Sequence, residues 1–406
     1  MSSMTSPLFG ADNSSPSTSV VNYNRINASY PSSWTGTENL RATPVGGAFT
    51  LTNFYIQVDV APGVGTSYTF TVMKNGSATS LAVTISGAAT SGTDTVNSVS
   101  VVAGDTLSLQ SQPTGAVVTS TLQSWNFLAT SNSLTAPLLS SMSGSSTTVT
   151  NYGSLTAGHV SASSWSATEA DSQIIVPTSG IISNLYIRMS STPGTSKSFQ
   201  FTVMQNGSAS TIDATISGAA TTANDTTHSI SVAAGDTLTI RSIPTGTPNS
   251  QSNMAFALVF TPTVPGESFF GFGSSIAPST TATQYEQILG LGNNAWVATE
   301  ANRTMVLGPY TLKKLYVKHG TAPGGVATRT ITVRKNSADT ALAVAVTGAA
   351  TSGNTAADVT YSQGDTITLA SSVASTPAAD TGGVHAGVLM YAAPTITAFT
   401  PIVIVY

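Results

Sequence analysis

YTFTVMKNGSATSLAVTISGAATSGTDTVNSVSVVAGDTLSL runs from Tyr68 to Leu109, and the chain repeats it twice with changes. It returns as FQFTVMQNGSASTIDATISGAATTANDTTHSISVAAGDTLTI, Phe199 to Ile240, and as RTITVRKNSADTALAVAVTGAATSGNTAADVTYSQGDTITL, Arg329 to Leu369. Asn75, Asn206 and Asn336 mark the register, 131 (206 − 75) and 130 (336 − 206) residues apart. Solenoid units are about 20–50 residues long, so a period of this size reads as a whole domain copied. The expected boundaries are 1–131, 132–262 and 263–406.

The local chemistry is β. Tyr68, Phe70 and Val72 alternate with Thr69 and Thr71, the period of a half-buried strand. Asn75-Gly76 and Asn206-Gly207 follow, and Asn-Gly takes the positive φ angles of a type I′ hairpin turn. The third copy has Asn336-Ser337, which predicts a different turn there. Leu81, Val83 and Ile85 make a second alternating run. Gly104-Asp105, Gly235-Asp236 and Gly364-Asp365 separate two further apolar runs in each copy, as a hairpin would. Sustained helical periodicity is absent, so the predicted fold class is all-β.

Outward from this unit, other features recur. Apolar spots at Leu8-Phe9, Leu138-Leu139 and Phe269-Phe270 predict a first strand in each copy. Trp34, Trp165 and Trp296 stand in WTGTEN, WSATEA and WVATEA, each four residues before Glu38, Glu169 or Glu300. One reading is an aromatic platform beside a carboxylate, suited to sugars. The other is an anchor of a sandwich core or a domain interface, since large aromatics dominate both. Tyr55, Tyr186 and Tyr316 lie in FYIQV, LYIRM and LYVKH, read as strands closed by Pro-Gly turns. They are candidate interface residues. Each copy ends on an apolar strand around Trp125, Met254–Phe260 or His385–Tyr391. Beyond the third copy, Ile402, Val403, Ile404, Val405 and Tyr406 make a candidate attachment or closure tail.

Composition limits function. Charged residues are 7%, where roughly 25% is usual; Ser, Thr, Ala and Gly take their place. The formal net charge of −4 leaves no basic footprint for nucleic acid. Cysteine is absent, which excludes disulfides and thiolate metal sites. The N-terminal MSSMTSPLFGADNSS does not read as a secretory signal, and no run is long enough for a membrane helix. His159, His228, His319 and His385 fall at unrelated repeat positions. Asp94, Asp225 and Asn224 sit in a polar loop without the dense carboxylate pattern of an EF-hand. No catalytic, metal or cofactor residue is assigned.

Copies of this length, with these hairpins and the closing strand HAGVLMY, resemble the jelly roll of the complement-globular-head and tumour-necrosis-factor-like superfamily. Gly387, Leu389 and Tyr391 fit its closing pattern; the second copy has Ala257 in place of Gly, and the first matches poorly. The resemblance implies three tandem jelly-roll β-sandwich domains and, because such domains typically trimerise, a single-chain pseudo-trimer. Similar Ser/Thr-rich modules occur in bacteriophage virion and spore-surface proteins. The expected function is therefore a non-enzymatic structural protein of the virion surface, a capsid decoration or cement protein. Its expected partners are the major capsid protein, other virion proteins or itself. The alternative is a glycan-binding tail fibre, spike or adhesin. The placement of the three tryptophans distinguishes the two: buried for the first, exposed in grooves for the second.

Overall fold

The computed structural model describes residues 2–29, 33–156, 165–289, 291–292, 296–392 and 395–396. The chain is all-β. Copy one contains β1 (Ser2–Asp12), β2 (Asn22–Asn24), β3 (Thr43–Pro44), β4 (Phe49–Val58), β5 (Gly63–Lys74), β6 (Ser77–Gly87), β7 (Ser91–Asp94), β8 (Val99–Val101), β9 (Thr106–Thr114) and β10 (Gln123–Ser131). Copy two contains β11 (Ala136–Met142), β12 (Asn151–Gly153), β13 (Ile174–Ile175), β14 (Gly180–Met189), β15 (Gly194–Gln205), β16 (Ser208–Gly218), β17 (Thr222–Val232), β18 (Thr237–Thr245) and β19 (Met254–Pro262). Copy three contains β20 (Glu267–Ser274), β21 (Gln284–Glu286), β22 (Leu291–Gly292), β23 (Met305–Leu307), β24 (Thr311–His319), β25 (Gly324–Lys335), β26 (Ala338–Gly348), β27 (Ser352–Thr360), β28 (Asp365–Ala374) and β29 (Val384–Tyr391), with β30 (Thr395–Ile396) after it. Short 3-10 turns occupy Glu38–Leu40, Glu169–Ser172 and Glu300–Arg303.

Each copy makes two sheets in the same strand order. In copy one they are β1–β10–β4–β7, with β8 also on β4, and β2–β9–β5–β6, with β3 also on β9. Copy two repeats this as β11–β19–β14–β17 and β12–β18–β15–β16, with β13 on β18. Copy three repeats it as β22–β20–β29–β24–β27 and β21–β28–β25–β26, with β23 on β28. The alternating residues of the repeat supply the cores between sheets: Phe70 and Val72 of β5 meet Leu51, Ile56 and Phe127 of the facing sheet. Phe199, Phe201 and Val203 occupy the same role in copy two, and Ile331 and Val333 in copy three.

The hairpin turns follow from their residues. Asn75-Gly76 has φ of 52° and 75°, and Asn206-Gly207 has 52° and 77°. Asn336-Ser337 was expected to turn differently but does not: its angles are 50° and 61°. Ser337 is thus held in a left-handed conformation that costs an L residue about 1–2 kcal/mol. Ser337→Gly should raise stability by about 1 kcal/mol, read as a higher denaturation midpoint; an unchanged or lower midpoint would contradict this.

The same turns explain the repeated Asn and Asp. Asn75 Nδ2 donates to Asp105 Oδ1 at 2.7 Å, while Asn75 Oδ1 accepts from the Thr106 N–H at 2.8 Å. Asn206 with Asp236 and Thr237, and Asn336 with Asp365 and Thr366, make the same pair of bonds. One hairpin tip is thereby fastened to the other in all three copies. Burial alone would raise the Asp105 carboxyl, but bonds from Asn75, the Val102 N–H and Lys74 outweigh it and hold its pKa below the ordinary value.

The copies also enter one another's cores. Leu8 packs in the core of copy one, whereas its neighbour Phe9 packs in that of copy three, with Ala11. Leu138 stays in the core of copy two while Leu139 enters that of copy one. Phe270 stays in copy three while Phe269 enters copy two. Successive residues of a strand point to opposite faces, so each apolar pair serves two cores. Beyond copy three, Thr395 and Ile396 pair with Ser3 and Ser2 of β1. The tail residues Ile402, Val403, Ile404, Val405 and Tyr406 lie outside the described residues.

Candidate functional site

The Trp–Glu motif was the strongest repeated candidate for a ligand site. Each Trp lies in a loop whose next residue bridges the second sheet: Thr35 to Tyr23, Ser166 to Tyr152, Val297 to Tyr285. The rings turn inward. Trp165 is 7% exposed and Trp296 4%, and Trp34 is partly buried against the core of copy one. Their ring partners are Phe70 and Trp125 for Trp34, Phe256 for Trp165 and Phe272 for Trp296. Trp34 Nε1 donates to Gln123 Oε1 at 3.1 Å, and Trp165 Nε1 to the Ser143 carbonyl at 2.8 Å.

The glutamates are held by the second sheet. Each opens the 3-10 turn and accepts from a strand hydroxyl: Ser108 Oγ to Glu38 at 2.7 Å, Thr239 Oγ1 to Glu169 at 3.0 Å, Thr368 Oγ1 to Glu300 at 2.6 Å. In copy three Arg334 Nε also reaches Glu300, at 2.9 Å. The motif fastens a loop to the second sheet. The repeated hydroxyl in GDTLSL, GDTLTI and GDTITL is the sequence signal for these partners.

Tyr55, Tyr186 and Tyr316 lie on β4, β14 and β24, and Tyr55 and Tyr186 each meet the Gly-Asp turn of another copy. Tyr186 packs against the core of copy one. A Cβ placed on Gly104 would stand 3.7 Å from the Tyr186 ring, and one on Gly364 would stand 3.2 Å from the Tyr55 hydroxyl. Polar bonds accompany these contacts. Ser124 Oγ accepts from the Val306 N–H at 2.7 Å, and Asn126 Oδ1 accepts from Gln363 Nε2 at 3.1 Å, both between copies one and three. His385 Nδ1 lies 2.9 Å from the Gln173 carbonyl, between copies three and two. A Cβ on Gly387 would collide with the Ile175 carbonyl, so glycine there permits β29 to lie against the backbone of copy two.

Between copies one and two the contact centres on Arg25, which is fully buried. Its Nε donates to Ser141 Oγ and its Nη2 to Asn253 Oδ1, both at 2.5 Å. Burial, with Arg41 nearby, pulls the guanidinium well below its ordinary pKa, against the attraction of Asp12. Sequence reasoning did not single out Arg25, because its repeat counterparts are Ser154 and Gln287.

The remaining polar candidates are absorbed locally. Asp94 accepts from the N–H groups of Ala82, Val96 and Asn97, and Asp225 from those of Asp213, Thr227 and His228. These bonds close the loop after β7 and the bend within β17. His319 Nδ1 pairs with Asp380 at 2.7 Å, both buried; the residues at the His319 position in the other copies are Val58 and Met189. His159 lies outside the described residues. Among the described residues no group of three or more His, Asp or Glu side chains converges as metal ligands would.

Two buried acids make stability respond to pH. Burial pushes Glu286 up to about 7 despite its ion pair with Arg303 at 3.3 Å, and Asp12 up to about 6 despite bonds from Ser14 and Asn24. Between its ordinary and its raised value, each acid holds a proton in the folded chain that it loses on unfolding. Their contribution is therefore full below the ordinary carboxyl values of 4.5 and 3.8 and is lost as pH rises through 7 and 6, respectively. The depressed aspartates act in the opposite sense, losing stability as pH falls below 3.8. Glu286→Gln should remove most of the decline in denaturation midpoint between pH 6 and 7, where Glu286 holds more of its proton than Asp12 does. A decline of unchanged slope in the variant would contradict the assignment.

No protein-family model matches the chain, and comparison with curated proteins gives no significant match.

Proposed function

We propose that the chain is three tandem jelly-roll domains, 1–131, 132–262 and 263–406, closed on one another as a single-chain pseudo-trimer. Its role in this reading is structural: a non-enzymatic protein of a virion surface, decorating or cementing a bacteriophage capsid. The observation that carries it is where the repeated residues go. The tryptophans, Tyr55 and Tyr186, the Asn–Asp fastenings and the paired apolar residues of the first strands are engaged in cohesion within and between copies. The inward rings of Trp165 and Trp296 favour this reading over a tryptophan-based glycan site. A surface of Ser, Thr, Gly and Ala with few charges suits a coat exposed on a particle, and the resemblance to jelly-roll modules of phage virions supplies the setting.

Immunogold electron microscopy of particles from the native source tests it. The expected result is label distributed over the capsid shell. Label confined to a tail fibre, or absent from purified particles, would overturn the assignment.

A further inference from the structure

The three equivalent tyrosines are not equivalently placed. Tyr186 and Tyr55 close over Gly104 and Gly364, but at the third contact Gly235 has open space beside it. Tyr316 instead lines a cleft of about 640 Å³ between copies two and three. Tyr316, Lys318 and Asn354 of copy three form one wall, and Gln173, Thr237 and the Asn206-Gly207 tip of copy two form the other.

The charges differ in the same way. In copy two the residue matching Lys318 is Arg188, which crosses to Asn39 of copy one, donating to its carbonyl at 2.9 Å and to its side-chain oxygen. That cation is used up in joining the copies. Lys318 is half-buried, and its Nζ donates to an amide, Gln173 Oε1, at 3.0 Å. No carboxylate lines the cleft among the described residues. A half-buried ammonium facing a polar cleft without an acid favours an anionic occupant, and a charge-assisted bond to carboxylate is stronger than one to an amide. The Tyr316 ring offers an apolar face, while Asn354 and Thr237 offer an amide and a hydroxyl. A few convergent polar groups in a cleft of this size suit a small ligand. An aromatic face beside amide, hydroxyl and ammonium groups matches a sugar ring that carries hydroxyls and a carboxylate.

We propose that this cleft binds a carboxylated saccharide, its ring against Tyr316 and its carboxylate on Lys318. The proposal needs only the contact between copies two and three. It does not depend on the virion reading, so either can fail without the other.

Saturation-transfer NMR on the full chain, with N-acetylneuraminic acid and glucuronic acid at millimolar concentration, provides the test. Glucose and acetate serve as the neutral and bare-anion probes. At least one carboxylated sugar should bind, and Lys318→Gln should weaken it by about tenfold or more. Copy one carries Gln57 at this position, so the variant is expected to fold. Asn354→Ala, at an exposed position, should weaken binding by a smaller factor, with an unchanged melting temperature confirming the fold. Failure of both acids to bind, glucose binding as well as glucuronate, acetate binding as tightly, or affinity unchanged in both variants would each overturn the proposal.

Discussion

Phe9→Ala should lower the unfolding free energy by about 3–5 kcal/mol, the range for truncating a buried Phe. The loss should reach copy three as well as copy one. Phe9 belongs to β1, which pairs with β10 of copy one, yet its ring packs in the core of copy three. It is 3% exposed and meets Phe270 edge to face at a centroid distance of 5.3 Å. Truncation removes that contact and leaves a void that Met305, Leu307 and the other residues of this core fill only in part. Equilibrium denaturation gives the size of the loss. Hydrogen exchange gives its place: amides of β20, β24 and β29 should lose protection with those of β1. A loss below about 1 kcal/mol, or one confined to copy one, would show that the copies do not share cores.

The second large effect is at Arg25. Removing one partner of a buried charge is costly, about 3–5 kcal/mol for buried ion pairs, whereas replacing the whole polar group by an apolar one of similar volume is often neutral or stabilising. Asn253 Oδ1 accepts from both Arg25 and Ser141. Asn253→Ala should therefore destabilise by about 3 kcal/mol, leaving the guanidinium buried with Ser141 as its remaining partner across the interface. Arg25→Met removes the buried charge and leaves Ser141 Oγ donating to Asn253 Oδ1, so it should cost less, about 1 kcal/mol. Denaturant midpoints of the two variants decide the matter. Arg25→Met as damaging as Asn253→Ala would mean that the cation itself holds copies one and two together.

These two contacts differ in how far the sequence revealed them. The strands, the hairpins and the period were legible because alternation in Tyr68, Phe70 and Val72 and the Asn-Gly turns are local signals. The pair Leu8-Phe9 marked the first strand and no more. It did not tell what covers the second face, because strand period carries no information on which distant surface packs there. Arg25 gave less. It lies in NYNRINA, a polar stretch whose equivalents carry Ser154 and Gln287, so no repeat marked it. The Trp–Glu motif left two readings open because its spacing does not show which way the Glu turns; it opens a 3-10 turn and bonds to the strand behind it. The cleft at Tyr316 was not legible at all, since the three tyrosines read alike and differ in what lies across from them.

Small-angle X-ray scattering of the full chain tests the closed arrangement of the three copies most directly. A compact unit of 406 residues has an expected radius of gyration of about 22 Å, with a single-peaked distance distribution. A radius above about 30 Å, with the extended tail of separate domains on linkers, would contradict the account.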